Sequence, residues 1–135
     1  EAFRLKSMTK LLTQESVMEG RSYGILFSES GYRFYIYDYR QLLWLDPIGD
    51  HFLAEYRLQE PMSIGLFLEN QEIVLESEFD QELLADPEPQ VIIYASGELT
   101  PFKAVFSREE NEGSFAITAE INGFLELSEQ GYDGP

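Results

Sequence analysis

Ala2-Phe3-Arg4-Leu5-Lys6-Ser7-Met8-Thr9-Lys10-Leu11-Leu12-Thr13-Gln14-Glu15-Ser16-Val17-Met18-Glu19-Gly20 decides the fold, because here alone the apolar residues recur at helical spacing. At about 100° per residue, Ala2, Leu5, Met8, Leu11, Leu12, Ser16 and Met18 fall on one broad arc. Lys6, Lys10, Thr13 and Gln14 lie opposite. Gly20 follows the last good helical position and is placed to act as the C-terminal cap. The spacing therefore predicts an amphipathic helix over 1–20. Phe3 and Val17 break the pattern on the polar side, and Glu15 and Glu19 break it within the apolar arc. Isolated surface apolar residues are ordinary, yet a phenylalanine there is also a candidate contact with another chain.

Downstream of Arg21 the period drops to two. Tyr23, Ile25 and Phe27 alternate with Gly24, Leu26 and Ser28, and the aromatic run 32–39 follows the turn Ser30-Gly31. Further strands are predicted over 41–45, 52–58, 63–68, 72–76, 91–95, 102–107, 114–121 and 123–128. Asp46-Pro47-Ile48-Gly49-Asp50 reads as a turn. Ser96-Gly97-Glu98 reads as a short turn between two buried strands, and Asn122-Gly123 as a two-residue type I′ hairpin. About ten short strands are more than one open sheet carries, so two packed sheets with the helix covering one of them are expected. The fold class is α+β: an N-terminal amphipathic helix on a two-sheet antiparallel β-sandwich, in one globular domain over 1–135 with its β body at 22–128. Residues 76–89 carry six acidic side chains, no basic one and two prolines, and are expected to form an acidic mobile loop. The tail 129–135 is expected to be loosely packed. The chain has no internal repeat and no domain linker.

The 135 residues suffice for one domain with a real core, and 44% hydrophobic content marks a globular chain. Net charge is −16, unevenly placed: residues 1–27 hold four basic and three acidic side chains, the remaining 108 hold five and 22. So acidic a body repels phosphates and anionic headgroups, which argues against nucleic-acid or membrane-surface binding by that part. No apolar run approaches the roughly 20 residues that span a bilayer. The chain opens in mid-pattern at Glu1-Ala2-Phe3-Arg4-Leu5, without an initiator Met or a signal peptide, which raises the expectation of a helical segment upstream.

Catalytic parts are scarce. With no cysteine and one histidine, His51 in a turn-like stretch, the usual zinc and nucleophile–base sites lack members. Neither a G-x-S-x-G elbow nor a phosphate loop occurs. Among 25 acidic residues any spacing can be found, so paired carboxylates carry no glycosidase signal. Oxygen ligands abound around 46–50 and 76–88, but the ordered D-x-[DN]-x-[DN]-G calcium loop is missing. No metal and no cofactor are expected, and the chain is read as a non-enzyme. The aromatics mostly keep strand spacing, which suits a core; Trp44 is the ring to consider for stacking on a sugar.

The run Leu12-Thr13-Gln14-Glu15-Ser16-Val17-Met18-Glu19-Gly20-Arg21-Ser22-Tyr23-Gly24-Ile25 resembles the helix-to-first-strand junction of the H-type minor pseudopilins, the GspH/FimT family. Val91-Ile92-Ile93-Tyr94-Ala95-Ser96-Gly97-Glu98-Leu99-Thr100-Pro101-Phe102 resembles the family's second hallmark, an apolar strand running into Ser-Gly-Glu-x-Thr-Pro-Phe. Asn122-Gly123 falls where the family places a glycine in its last hairpin. The middle of the chain, including the acidic segment, carries no such match. The resemblance implies a structural subunit of a type II secretion pseudopilus in a Gram-negative envelope. It implies a periplasmic location, with inner-membrane anchoring through a hydrophobic N-terminal helix that this sequence lacks. Its implied partners are other minor and major pseudopilins, with no nucleic acid, and its soluble domain is expected to be monomeric. On that footing Phe3, Lys6, Lys10 and Val17 are expected to face a neighbouring pseudopilin, and Arg4, Lys6 and Lys10 to meet the acidic body of an adjacent subunit. The alternatives are a minor pilin of a type IV pilus, a soluble carbohydrate-binding sandwich using Trp44, and an acidic DNA mimic.

Overall fold

The computed structural model describes residues 1–47, 55–108 and 113–130. Its first element is the helix α1 (Ala2–Glu19), ended by Gly20 in the left-handed region at φ 65°. Glycine takes that conformation without the Cβ clash of other residues, and the Gly20 and Arg21 amides both donate to the Ser16 carbonyl.

Among the described residues, ten strands and a second helix follow. β1 (Tyr23–Ser28), β2 (Gly31–Asp38), β3 (Leu43–Leu45), β4 (Tyr56–Arg57) and β7 (Val91–Ile93) form one antiparallel sheet. Its order is β3-β2-β1-β7, with β4 also pairing β2. β5 (Ser63–Leu68), β6 (Gln71–Ile73), β8 (Phe102–Ser107), β9 (Ser114–Ala119) and β10 (Leu125–Gln130) form the other, ordered β10-β9-β8-β5-β6. The short helix α2 (Gln81–Ala85) lies between β6 and β7. The α+β, two-sheet architecture is the one read from the sequence.

Strand alternation sets the core. Phe102, Ala104 and Phe106 of β8 point inward with half-buried residues between them. Ile25 and Phe27 of β1, Tyr32 and Phe34 of β2, Leu66 of β5 and Ile117 of β9 meet them from both sheets. Ala2, Leu5, Met8 and Leu12 of α1 complete the same core. The helix touches β9 and β10 of one sheet and β7 of the other. It therefore spans both sheets rather than covering one.

Several expectations need correction. Leu11 and Met18, placed in the apolar arc, are 41% and 77% exposed, while Thr9 is fully buried. The buried strip carries the small residues Ala2, Thr9 and Ser16 at every seventh position, which lets the helix approach the strands closely. Residues 76–89 are not all loop: α2 is capped by Asp80, whose Oδ1 accepts the Leu83 amide at 2.7 Å. This segment also crosses the outer face of the first sheet. A Cβ on Gly24 would lie 2.6 Å from Pro89 and 3.0 Å from the Trp44 ring, and Arg33 sits 5.9 Å from the Phe79 ring. That cover explains why every residue of β1 is buried, on both faces. Gln90 extends it by exchanging side-chain amide hydrogen bonds with the Phe27 backbone, at 2.9 and 3.2 Å.

The turns also differ. Positive φ at both central positions, the mark of a type I′ hairpin, occurs at Glu69 and Asn70, where Leu68 pairs Gln71. Asn122-Gly123 instead belongs to a three-residue loop with only Gly123 at positive φ. His51, the first part of the strand 52–58, most of the turn 46–50 and most of the tail 129–135 lie outside the described residues.

Leu5 and Leu11 are one chemistry in two environments. Leu5→Ala is expected to cost about 2–5 kcal/mol by creating a cavity, and Leu11→Ala about 0.5 kcal/mol or less. Urea unfolding of both variants decides whether the observed helix rotation is right.

Candidate functional site

Among the described residues no group of three or more His, Asp or Glu side chains is placed to hold a metal ion. Glu76, Asp80, Glu82, Asp86 and Glu88 line an open depression instead. Trp44 is half-buried, edge-on to Tyr37 with ring centroids 4.9 Å apart and close over Gly24. Its ring is used in packing the outer sheet face, which leaves little of it as a flat platform for a sugar.

The outward face of α1 is different. Phe3 is 68% and Val17 58% exposed, Lys10 is exposed and Lys6 half-buried. At helical spacing these four fall within about 60° of one another, away from the buried strip. Lys6 and Lys10 make no ion pair among the described residues. The exposed Leu11 and Met18 flank this strip, and sequence reasoning missed them by assigning them inward. The signal for them was the small-residue repeat Ala2, Thr9, Ser16, which marks one edge of the buried face and turns Leu11 and Met18 off the other.

Arg4 does not join Lys6 and Lys10. Its guanidinium lies 4.5 Å from the Tyr56 ring centroid and donates to the Tyr32 hydroxyl at 3.5 Å. Tyr56 stacks on Tyr32 at 5.4 Å and donates its own hydroxyl proton to Glu1 at 3.1 Å. Arg4 is thus committed to its own body, contrary to the expectation of an adjacent subunit. Burial pushes the Tyr32 phenol up to about 12, against the opposing pull of Arg4.

The three segments singled out in the sequence meet at the C-terminal end of α1. Tyr94-Ala95-Ser96-Gly97-Glu98 and Glu120-Ile121-Asn122-Gly123-Phe124 form loops of the same design. In each, the first residue donates its amide to the fifth carbonyl and accepts the amide of the glycine. Gly97 and Gly123 have φ of 91° and 89°. The Leu99 amide donates to the Ile121 carbonyl at 3.1 Å and ties the loops together. A Cβ on Gly97 would lie 2.9 Å from Val17 Cγ2, and one on Gly123 3.4 Å from the Gly97 carbonyl oxygen. On the other side of Gly20, Ser22 bonds Tyr39 at 2.9 Å and accepts the Tyr37 amide at 3.0 Å, which fixes the helix-to-strand turn.

Known proteins share this fold. The chain is 32% identical over 127 residues to type II secretion system protein H of Pseudomonas aeruginosa, covering 92% of this chain and 70% of that protein. It is 26% identical over 130 residues to type II secretion system protein H of Aeromonas hydrophila, covering 94% and 71%. Among solved structures, the minor pseudopilin EpsH of the Vibrio cholerae type II secretion system superposes with a TM-score of 0.75 at 22% identity, over 96% of this chain and 94% of that one. The solution structure of Escherichia coli GspH gives 0.62 at 20% identity, over 97% and 85%. No protein-family model matches the chain.

Gly97→Ala combines left-handed strain with a collision against Val17, and is expected to destabilise by roughly 1–2 kcal/mol from the backbone alone. Gly123→Ala should cost less, and Val17→Ala placed with Gly97→Ala should recover part of the loss. A double-mutant cycle on unfolding free energy reads all three. For Tyr32, the folded state favours the neutral phenol, so that stability is complete below pH 10 and lost as pH rises towards 12. Roughly 2–3 kcal/mol should disappear over this window, and Tyr32→Phe should flatten the slope in pH-dependent denaturation.

Proposed function

This chain belongs to the type II secretion system protein H family, and from that premise we propose that it works as a minor pseudopilin. It is a structural subunit of the pseudopilus and performs no catalysis of its own. Its site of work is the periplasm, and its tether is an inner-membrane helix preceding α1 in the intact protein. Its partners are other minor and major pseudopilins, reached from a soluble domain that is monomeric by itself.

The observation that supports this reading is the two-faced character of α1. One face is consumed by the protein's own core. The other offers Phe3 and Val17 to solvent beside two lysines without ion-pair partners among the described residues. Full burial of a valine or phenylalanine side chain contributes about 1.5–3 kcal/mol, so even two such contacts weigh heavily in a subunit interface. A helix face docking onto a different surface of the next subunit is a heterologous contact, and such contacts propagate into helical filaments where the rotation between subunits does not close a ring. Lys6 and Lys10 add charge steering towards acidic neighbouring bodies, which sets orientation and encounter rate more than affinity.

Charge reversal separates this role from a purely structural one. Lys6→Glu combined with Lys10→Glu is expected to abolish co-assembly with partner pseudopilins, while thermal unfolding of the isolated domain moves little. Undiminished co-assembly of that variant would remove these residues from the interface.

A further inference from the structure

A groove of about 730 Å³ runs between the C-terminal half of α1 and the two glycine loops, lined by Val17, Met18, Gly97, Glu98, Asn122 and Gly123 among others. No lysine or arginine lines it among the described residues. Its electrostatics are one-sided. α1 ends beside it with no basic residue in the last turn, so the negative end of the helix dipole has no cation within the helix to answer it. Arg21, just past the cap, is 3.7 Å from Glu19. The Glu98 carboxylate is exposed, accepts a hydrogen bond from Ser96 Oγ at 3.3 Å, and makes no ion pair among the described residues. Around the groove the apolar surface is open: Met18 is 77% exposed, and Ile121 and Phe124 on the neighbouring loop are more than half exposed. The two glycines keep its floor free of side chains.

We propose that this groove receives a lysine or arginine side chain from a neighbouring pseudopilin. The cationic head sits between the Glu98 carboxylate and the carbonyl end of α1. The aliphatic stem, with apolar residues flanking it in the partner, covers Val17, Met18, Ile121 and Phe124. Charge complementarity selects this occupant: the groove presents Glu98 and the carbonyl end of α1 with no lysine or arginine in its lining among the described residues, and the part of this chain after residue 27, with 22 acidic and five basic side chains, has the wrong sign to fill it. The inference rests on the pseudopilus reading and names the chemistry of the partner segment.

The chain has no cysteine, so a single introduced one reports without background. In the intact protein assembling in its own envelope, Met18→Cys carrying a photo-crosslinker is expected to capture another pseudopilin through a peptide with Lys or Arg beside apolar residues. Asn122→Cys repeats the measurement from the opposite wall, should Met18→Cys disturb packing. Glu98→Lys should reduce capture at both positions at least tenfold, and Glu98→Gln less, with capture from Phe3→Cys unchanged. Capture that survives Glu98→Lys, or that joins a lipid or a second copy of this chain, overturns the assignment. Silence in the groove with capture at Phe3→Cys also overturns it and leaves the pseudopilus reading standing. Silence at all three positions overturns both.

Discussion

The close seating of α1 between the sheet edges β7 and β10 is the constraint on which the rest of the molecule depends. Both strands are terminal in their sheets, and an uncovered terminal strand presents unpaired amides and carbonyls to any passing chain. The helix spans both sheets, touching β7 and the β9–β10 pair while Leu5 and Leu12 enter the shared core. Small residues at positions 2, 9 and 16 permit that approach. Gly97 permits it at the C-terminal end, where a side chain would strike Val17. The same approach rotates Leu11 and Met18 outward. What the helix shows to solvent is thus fixed by how it packs beneath.

Much of this fold was legible. Strand alternation located the strands among the described residues to within a few positions, because each sheet has a core face and the period of two is strong. Gly20 was legible as a cap because the chain there needs positive φ. The hairpin geometries were not, since Asn-Gly suits several loops and the bond from Gly123 to Glu120 selects a three-residue one. Conversely Glu69-Asn70 carries little turn signal, yet the register of β5 on β6 forces both residues into the left-handed region. α2 escaped because five residues between Asp80 and Asp86 are too few to show a helical period. The burial of β1 on both faces escaped because it depends on segment 76–89 folding back, a tertiary event without a local signature.

The candidate surface was legible in part. Phe3 and Val17 were conspicuous as apolar residues out of phase, and out-of-phase residues are what a second interface needs. Arg4 was grouped with the lysines because sequence position alone cannot tell a cation facing solvent from one stacked on Tyr56. The meeting of Ser96-Gly97-Glu98, Asn122-Gly123 and the helix end was hidden as well. Their separation along the chain exceeds any local pattern; the β8–β9 pairing, with Phe102 opposite Ala119, and the Leu99–Ile121 bond bring the two loops together.

Charge then decides how such a subunit can approach others. The last 108 residues carry 22 acidic and five basic side chains, whereas residues 1–27 are nearly balanced. At physiological ionic strength screening acts over about 8 Å, so two acidic bodies repel as soon as their surfaces come near contact. The proposed approach turns the helix forward, where Lys6 and Lys10 make the local potential less negative and Phe3 and Val17 supply apolar area. An exposed apolar strip on a neutral domain would invite unspecific association. On this strongly anionic one the body repels acidic surfaces, so a helix-face contact of the kind proposed favours a partner that also accepts its lysines. Acidity over the body and cations on the helix would then act together, the first against unspecific approach and the second towards one orientation.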